Sequence, residues 1–261
     1  MRKKLWTILL TIFVFLSGAL LGFSTVYRVD TVTVNVNYVT EEARIEGEDL
    51  QTRLESAYQG SSTFFVKQKT AEEVLKEYPY FRISGFKKSF PKRLIIEITE
   101  NAEVYAIEKT AGEEYYILSA DGVVLDIRED YINPLNGEEN VVLKGLTVDV
   151  EKGKTPTGDA CFTPVLGVCQ ELSAALNGIR CNVVSVALIR RTPETILAIT
   201  MREGVKIYIS NPTQLTREKV EIALTEYNAL TDAEKTGGRI LLFESSGQIY
   251  PNYSAVDEFA Q

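Results

Sequence analysis

Histidine is absent from this chain of 261 residues, and cysteine occurs only three times. Without histidine, the chain has no histidine-based catalytic triad, no histidine general base and few of the usual means of binding zinc. The cysteines, Cys161, Cys169 and Cys181, follow no metal-binding spacing, and their odd number leaves no complete disulfide set. A bridge between Cys169 and Cys181 is one interpretation, and packed free thiols are the favoured one.

Basic residues are also few relative to acidic ones, with 28 Lys and Arg against 36 Asp and Glu. Removing Arg2, Lys3 and Lys4, which precede a long apolar run, leaves 25 basic residues against 36 acidic ones, a charge of −11. This sign argues against a nucleic-acid binder. Adjacent acids such as Glu41 and Glu42 do not face one another across a substrate as glycosidase carboxylates must, so they are interpreted as solvated surface.

An uncharged run from Leu5 to Tyr27 follows the basic start. As a helix it is just long enough to cross a hydrocarbon layer of roughly 30 Å. A cleaved signal peptide is the alternative, but its apolar stretch would be shorter, about 7 to 15 residues. We therefore expect a cytoplasmic tail at 1–4, a transmembrane helix at 5–27 and, by the positive-inside tendency, the rest of the chain outside the cell membrane.

Residues 28–101 predict a first external domain of strands and helices. The segment 31–36 has valine at every second position, as a half-buried strand requires. Apolar residues then recur at helical spacing from Leu50 to Tyr58 and again from Thr70, where Glu73 completes a capping box. Two strands follow, joined through a proline that cannot donate to a strand ladder. They are predicted at 80–90 and 94–100, which gives the order β-α-α-β-β.

Residues 102–250 predict a mixed, mainly antiparallel β domain with two helices, so the fold class is α+β. Its strands are predicted at 104–107, 115–118, 123–127, 183–189, 195–201, 205–209 and 239–243. Its helices are predicted from Thr163, as the N-cap, to Asn177 and from about 213 to 230. We expect a flexible polar tail at 251–261.

Three short motifs suggest a serine enzyme of the cell wall. S-x-x-K occurs at 84–87 and 89–92, and K-T-G at 235–237, which together resemble the signature of penicillin-binding proteins. In that family the serine and lysine share one face at the start of a helix, whereas residues three apart on a strand point to opposite faces. Ser84 falls in a predicted strand and Pro91 interrupts the second copy, so we expect no catalytic activity and keep this reading only as an alternative.

Longer segments resemble the FtsQ/DivIB family of bacterial cell division proteins. "PYFRISGFKKSFPKRLIIEITE", at 79–100, resembles the family's P-Y-I, basic strand and F-P-x-x-L-x-I-x-I-x-E hairpin. "YYILSADGVVLDI", at 115–127, is similar to its D-x-x-G-x-V-L stretch, and "VVLKGLTVDVEKGK", at 141–154, to its apolar-Gly-Leu segment and G-x-x turn. The chain departs from the family at Asn37, commonly glycine, and at 101–103, where Asn-Ala-Glu replaces Arg-x-Pro.

The resemblance implies a POTRA-like domain at 28–101 and a non-catalytic scaffold at the division septum, without cofactor, metal or small-molecule substrate. It also implies partners, namely single-pass division proteins of the FtsB/DivIC and FtsL types and, through them, the septal peptidoglycan synthases. A membrane-tethered POTRA protein for secretion or envelope assembly is the alternative function.

The resemblance further implies a partner-binding segment near the end of the second domain. We expect the last predicted strand to be a sheet edge onto which a partner adds a strand of its own. The expected binding residues are Arg239, Ile240, Leu241, Leu242, Phe243, Glu244, Ser246 and Gly247.

A basic group, Lys87, Lys88, Lys92 and Arg93, flanks the predicted turn at Pro91. The favoured interpretation is a solvent-exposed hairpin. The alternative is electrostatic contact with anionic lipid head groups, wall polymers or an acidic partner, which added salt would weaken.

Overall fold

The computed structural model describes residues 6, 12–13, 26–38, 41–110, 113–134, 137–191, 194–214, 216–245 and 247–257. The predicted membrane run, 5–27, lies almost wholly outside these residues, as do the tail 1–4 and Ser246. Across the described ranges, no helix combines the length and the apolar character needed to span a bilayer. The chain divides into two compact units, Met1–Asn101 and Ala102–Gln261.

The first unit is a three-stranded sheet with two helices on one face. Its elements are β1 (Thr31–Asn37), α1 (Glu41–Tyr58), α2 (Gln68–Leu75), β2 (Phe81–Ser89) and β3 (Arg93–Glu100). The strand order is β1–β3–β2, with β1 parallel and β2 antiparallel to the central β3. Every second residue of β3 is buried against the helices, beginning at Leu94, so the alternate residues face the opposite side of the sheet.

Both helices of the first unit begin earlier than predicted. α1 starts at Glu41 instead of near Leu50, and α2 starts at Gln68 instead of Thr70. The predicted capping box is wrong, because Lys67 is the N-cap of α2 and its side chain makes no cap hydrogen bond. The hydroxyl of Tyr58 donates to the carbonyl of Lys67 (2.7 Å), so the end of α1 fixes the start of α2.

The second unit is built on a nine-stranded sheet. Its strands are β4 (Glu103–Thr110), β5 (Glu114–Ser119), β6 (Val124–Arg128), β7 (Val141–Lys144), β8 (Val183–Arg190), β9 (Thr195–Met201), β10 (Lys206–Ser210), β11 (Arg239–Ser245) and β12 (Gln248–Ser254). Its helices are α3 (Phe162–Ala175), α4 (Thr216–Ala229) and α5 (Asp232–Lys235). The strand order is β12–β11–β10–β9–β8–β7–β4–β5–β6, which makes β12 and β6 the two edges.

This sheet contains both parallel and antiparallel strand pairs. The antiparallel arrangement predicted for β8, β9 and β10 is confirmed. The pairs β4–β7, β7–β8 and β10–β11 are parallel, so the sheet is less antiparallel than predicted. Parallel pairs need crossover connections, which contain α3 between β7 and β8, α4 between β10 and β11, and strands β5 and β6 between β4 and β7. The N-cap of α3 is Cys161 and not the predicted Thr163.

The main core of the second unit lies between the sheet and its two longer helices. Leu172 of α3 and Leu224 of α4 pack against the same face of the sheet as Leu197 and Ile207. On the other face, the residues that the structure describes form two small buried clusters, one of which surrounds Tyr208. The helices and mixed sheets of the two units confirm the predicted α+β fold class.

All three cysteines are free thiols. Cys169 is fully buried in the core of the second unit, where burial raises the pKa of its thiol to about 12 and keeps it protonated. Cys161 is partly buried, whereas Cys181 is exposed. The alternative bridge from Cys169 to Cys181 is therefore wrong, and the packed-thiol prediction is confirmed for Cys169.

Candidate functional site

β11 contains the residues 239–244 that were predicted to bind a partner, but it is not an edge strand. It pairs with β10 in parallel on one side and with β12 in antiparallel on the other. The prediction of an open edge at 239–244 is therefore wrong. The reason is that the segment after Gly247 turns back as β12, including residues 251–254 of the predicted flexible tail.

β12 is the open edge at this end of the sheet. Ser245 pairs with Gln248, so two residues connect the strands, and one of them, Gly247, has the positive φ of 75° that such a turn favours. In a two-residue hairpin the closing pair exchanges both hydrogen bonds, and bonded and non-bonded pairs alternate from there. The backbone groups of Ile249, and of every second residue after it, therefore point to the open side.

Pro251 is one of these outward-pointing residues, opposite Leu242 of β11. Proline has no N–H, and sheets accept it where that N–H would face solvent. The position of Pro251 therefore agrees with the alternation of inward- and outward-pointing backbone groups deduced from the turn. The open edge therefore offers backbone donors at Ile249 and Tyr253, and carbonyl acceptors at these two positions and at Pro251.

The side chains of β12 divide between the two faces of the sheet. Ile249 and Tyr253 pack against the main core, and the Tyr253 hydroxyl donates to the carbonyl of Glu234 (3.2 Å). On the other face Tyr250 stacks on Phe243 of β11, with ring centroids 5.5 Å apart and 23° between the planes. Phe243 is 43% exposed and Tyr250 is 41% exposed, so an aromatic pair lies on the surface beside the open edge.

The residues after β12 are held against β10. The carboxylate of Asp257 accepts hydrogen bonds from the Lys206 ammonium (2.8 Å) and the Tyr208 hydroxyl (3.0 Å). Burial and the bond to Asp257 raise the pKa of Tyr208 to about 12, so this hydroxyl remains a donor at neutral pH. The tail prediction is thus wrong as far as Asp257.

Glu244, another predicted binding residue, faces the core side of β11. Its carboxylate lies 3.8 Å from the ammonium of Lys219, which is only 1% exposed and donates to the carbonyls of Ser210 (2.9 Å) and Asn211 (3.1 Å). Burial lowers the pKa of Lys219, and Glu244 acts in the opposite direction. Glu244 therefore helps to compensate a buried charge at this end of the sheet.

Two of the predicted basic residues lie on the open face of the first unit's sheet. β3 turns Leu94 toward the helices, so its neighbour Arg93 faces the other way. Lys87 of β2 pairs with Ile95 and shares that open face.

The other two basic residues lie elsewhere, so the four do not form a single patch. Lys88 is half-buried, and its ammonium donates to the carbonyl of Phe64 (3.1 Å). Lys92 lies in the turn between β2 and β3 and lines an open cleft together with Arg28 and Asp30.

The serine-enzyme motifs do not have the geometry of penicillin-binding proteins. Ser84 lies on β2, at a bulge between Ile83 and Gly85, and not at the start of a helix. Lys235 ends the four-residue α5 and Thr236 is its C-cap, so K-T-G is not on a strand. In the ranges that the structure describes, no group of three or more Cys, Asp or Glu side chains could hold a metal ion.

The sequence reasoning missed Tyr250 and Asp257 as parts of this surface. Ser246-Gly247 after a predicted strand is a hairpin signal, and the alternation of Ile249 with polar residues would have supported a strand there. No local pattern indicates that Asp257 reaches β10, because that contact joins residues far apart in the chain.

Comparison with known proteins gives a modest but specific likeness. No protein-family model matches the chain. The chain is similar to the cell division protein DivIB of Clostridium acetobutylicum, with 24% identity over 141 residues. The match covers 54% of the chain and 53% of that protein, so the chain spans about half the length of the curated relative it matches. Over the matched segment the chain is therefore DivIB/FtsQ-like in sequence.

Proposed function

We propose that the chain is a non-catalytic scaffold of the bacterial division machinery. In this proposal the run 5–27 anchors it in the cell membrane at the septum, the first unit is POTRA-like, and the second unit binds partners. The likeness to DivIB carries the proposal, and the β-α-α-β-β order of the first unit supports it. The partners are single-pass division proteins of the FtsB/DivIC and FtsL types, which connect the scaffold to septal peptidoglycan synthases.

A partner binds by adding a strand to β12. The outward backbone groups at Ile249 and Tyr253 supply hydrogen bonds, since an edge strand leaves them without a neighbouring strand. Backbone hydrogen bonds alone do not discriminate between partner strands of different sequence. The exposed Phe243–Tyr250 pair supplies selection, because aromatic anchors contribute much of the binding energy of protein interfaces. Residues 239–244 act as the support on which β12 is held.

Photocrosslinking in living cells tests this assignment. A benzoylphenylalanine placed at the exposed Gln248 of β12 should give adducts with other single-pass division proteins. The matched control is Ile127, which is 36% exposed on β6, the opposite edge of the same sheet, and should give none of these adducts. The same adducts from both positions, or none from Gln248, would contradict docking at β12.

A proline substitution tests the role of the backbone separately. Ile249→Pro removes an outward N–H, so it should weaken copurification of the partner while the β11–β12 pairing persists. Tyr250→Pro is the contrast, because it removes an N–H directed at β11 and should also reduce the protection of β12 amides from exchange. Normal partner recovery with folded Ile249→Pro would show that strand addition is not the binding mode.

A further inference from the structure

Exposed aromatic side chains cluster at one end of the first unit. The ring of Phe64 lies 4.5 Å from that of Tyr27 and 5.1 Å from that of Phe90, centroid to centroid. Phe64 is 49% exposed, Phe90 is 54% exposed, and the adjacent Phe65 is 82% exposed. Single exposed apolar residues are common, but a contiguous group of this kind marks an interaction surface.

Buried hydrogen bonds fix the three chain segments that carry these rings. Thr63 is fully buried, and its N–H donates to the carbonyl of Tyr27 (2.7 Å). Its hydroxyl lies 2.7 Å from the carbonyl of Pro91 and 3.0 Å from that of Tyr27. Lys88 adds a bond to the carbonyl of Phe64 (3.1 Å). The exposure of the aromatic rings is therefore a property of the folded unit.

Cations flank this aromatic group. Arg28 follows Tyr27, Lys92 lies two residues after Phe90, and both line one open cleft. Asp30 is the acidic residue of that cleft, but within the described part of the chain neither cation forms an ion pair with a carboxylate. The chain after Lys4 carries a net charge of −11, so this local excess of positive charge is opposite in sign to the charge of the chain as a whole.

The sequence puts this surface at the level of a bilayer. The apolar run from Leu5 to Tyr27 has 23 residues, about 34 Å as a helix, against a hydrocarbon thickness of about 30 Å. Tyr27 would then lie at the interface, where aromatic side chains are favoured. Lys and Arg near the same plane are attracted to anionic head groups.

We propose that Tyr27, Phe64, Phe65 and Phe90, with Arg28 and Lys92, form a lipid-docking surface that seats the first unit on an anionic bilayer. The inference rests on the membrane anchor of the proposed function. A lipid surface fits better than a hydrophilic polyanion, because a polyanion would use the cations and leave the exposed rings in water. Docking restricts the tilt of the first unit relative to the membrane.

Fluorescence quenching in proteoliposomes tests the surface on the full chain. The sequence contains one tryptophan, Trp6, so Trp6→Phe provides a background without tryptophan. In that background Phe65→Trp should be strongly quenched by lipids brominated near the head group. The control is Ile45→Trp, 62% exposed and about 20 Å from Tyr58 along α1, which should be quenched little.

Changes in lipid charge and salt concentration separate the electrostatic contribution of the cations to docking from the apolar contribution of the aromatic rings. Lys92→Ala should lower the ratio of docked to undocked chains roughly fivefold on vesicles containing phosphatidylglycerol, and little on pure phosphatidylcholine or at high salt. Equal quenching at positions 65 and 45, in a chain that resists alkaline extraction, would overturn the docking surface and leave the anchor intact. Release of the chain by alkali would overturn both, since it removes the anchor on which the inference rests.

Discussion

Two adjacent glycines before β11 provide a sharp test of how the edge of the sheet is held. Gly238 has a φ of 78°, and a Cβ built there would lie 2.4 Å from the backbone carbonyl oxygen of Ser254, at the end of β12. Its own carbonyl accepts from the N–H of Lys206 on β10 (3.1 Å). Gly237 has no atom within 4 Å of its Cβ position and no left-handed φ.

Gly238→Ala should therefore destabilise the second unit by two additive effects. The left-handed backbone costs an alanine about 1–2 kcal/mol. Relieving the contact with the backbone of Ser254 requires a shift that costs about 1–3 kcal/mol, as overpacking does elsewhere. The sum is about 2–5 kcal/mol. For a unit of this size, 102–261, that corresponds to a fall in Tm of roughly 4–20 °C.

Gly237→Ala is the matched control, since it makes the same chemical change one residue earlier. It should be neutral or should stabilise the unit by about 0.4–1 kcal/mol, because it restricts only the unfolded chain. Urea unfolding followed by circular dichroism gives the free energies, and amide exchange shows whether β12 opens first. Unfolding free energies for the two variants that agree within about 0.5 kcal/mol would refute the close approach of Gly238 to β12.

Three further predictions concern buried polar groups. Thr63→Val should lower the free energy of unfolding of the first unit by about 1–3 kcal/mol in urea titrations, because the carbonyl of Pro91 loses its buried hydroxyl donor, whereas that of Tyr27 keeps the Thr63 N–H; an unchanged value would contradict this. Glu103→Ala should cost about 3–5 kcal/mol in the same assay, since Arg128, 2.7 Å away, loses its carboxylate, whereas removing both charges with leucine should cost less. Burial acts to raise the pKa of Asp159, but two backbone N–H bonds and Arg190 outweigh it and lower the pKa. The contribution of Asp159 to stability is therefore complete above its unfolded-state pKa of about 3.9 and is lost as the pH falls through its lower folded-state pKa. Asp159→Asn should remove that part of the acid dependence of unfolding.

The sequence predicted best the strands that have clear breaks at both ends. β9 has the predicted bounds, and β8 differs by one residue, because each is an apolar run rich in β-branched residues between sequence breaks. β7 was missed because Val141–Lys144 is short and three of its four residues are buried, a pattern that periodicity cannot assign. Such a central strand is identified only by the parallel neighbours on either side.

The open edge of the sheet was predicted one strand away from its position in the structure. Residues 239–243 have the apolar character of a sheet strand, and that is why they lie inside the sheet with β10 and β12 on either side. β12 contains Pro251 and Asn252, residue types that are rare in strands. Its strand conformation comes from pairing with β11 in a hairpin, which the Ser246-Gly247 signal indicates and the composition of the segment does not. The polar character of the segment is instead what an exposed edge requires.

Under the proposed function, the composition of β12 also explains how one edge would bind a partner strand without pairing with copies of its own chain. A flat edge with an uninterrupted row of donors and acceptors pairs with almost any strand, and natural edges are protected against this. Pro251 removes the middle donor of the outward row, between those of Ile249 and Tyr253. An added strand therefore loses part of the non-selective backbone contribution. The rest of the binding free energy would have to come from side-chain contacts. The exposed Phe243–Tyr250 pair lies beside the edge, where side chains of an added strand could make such contacts.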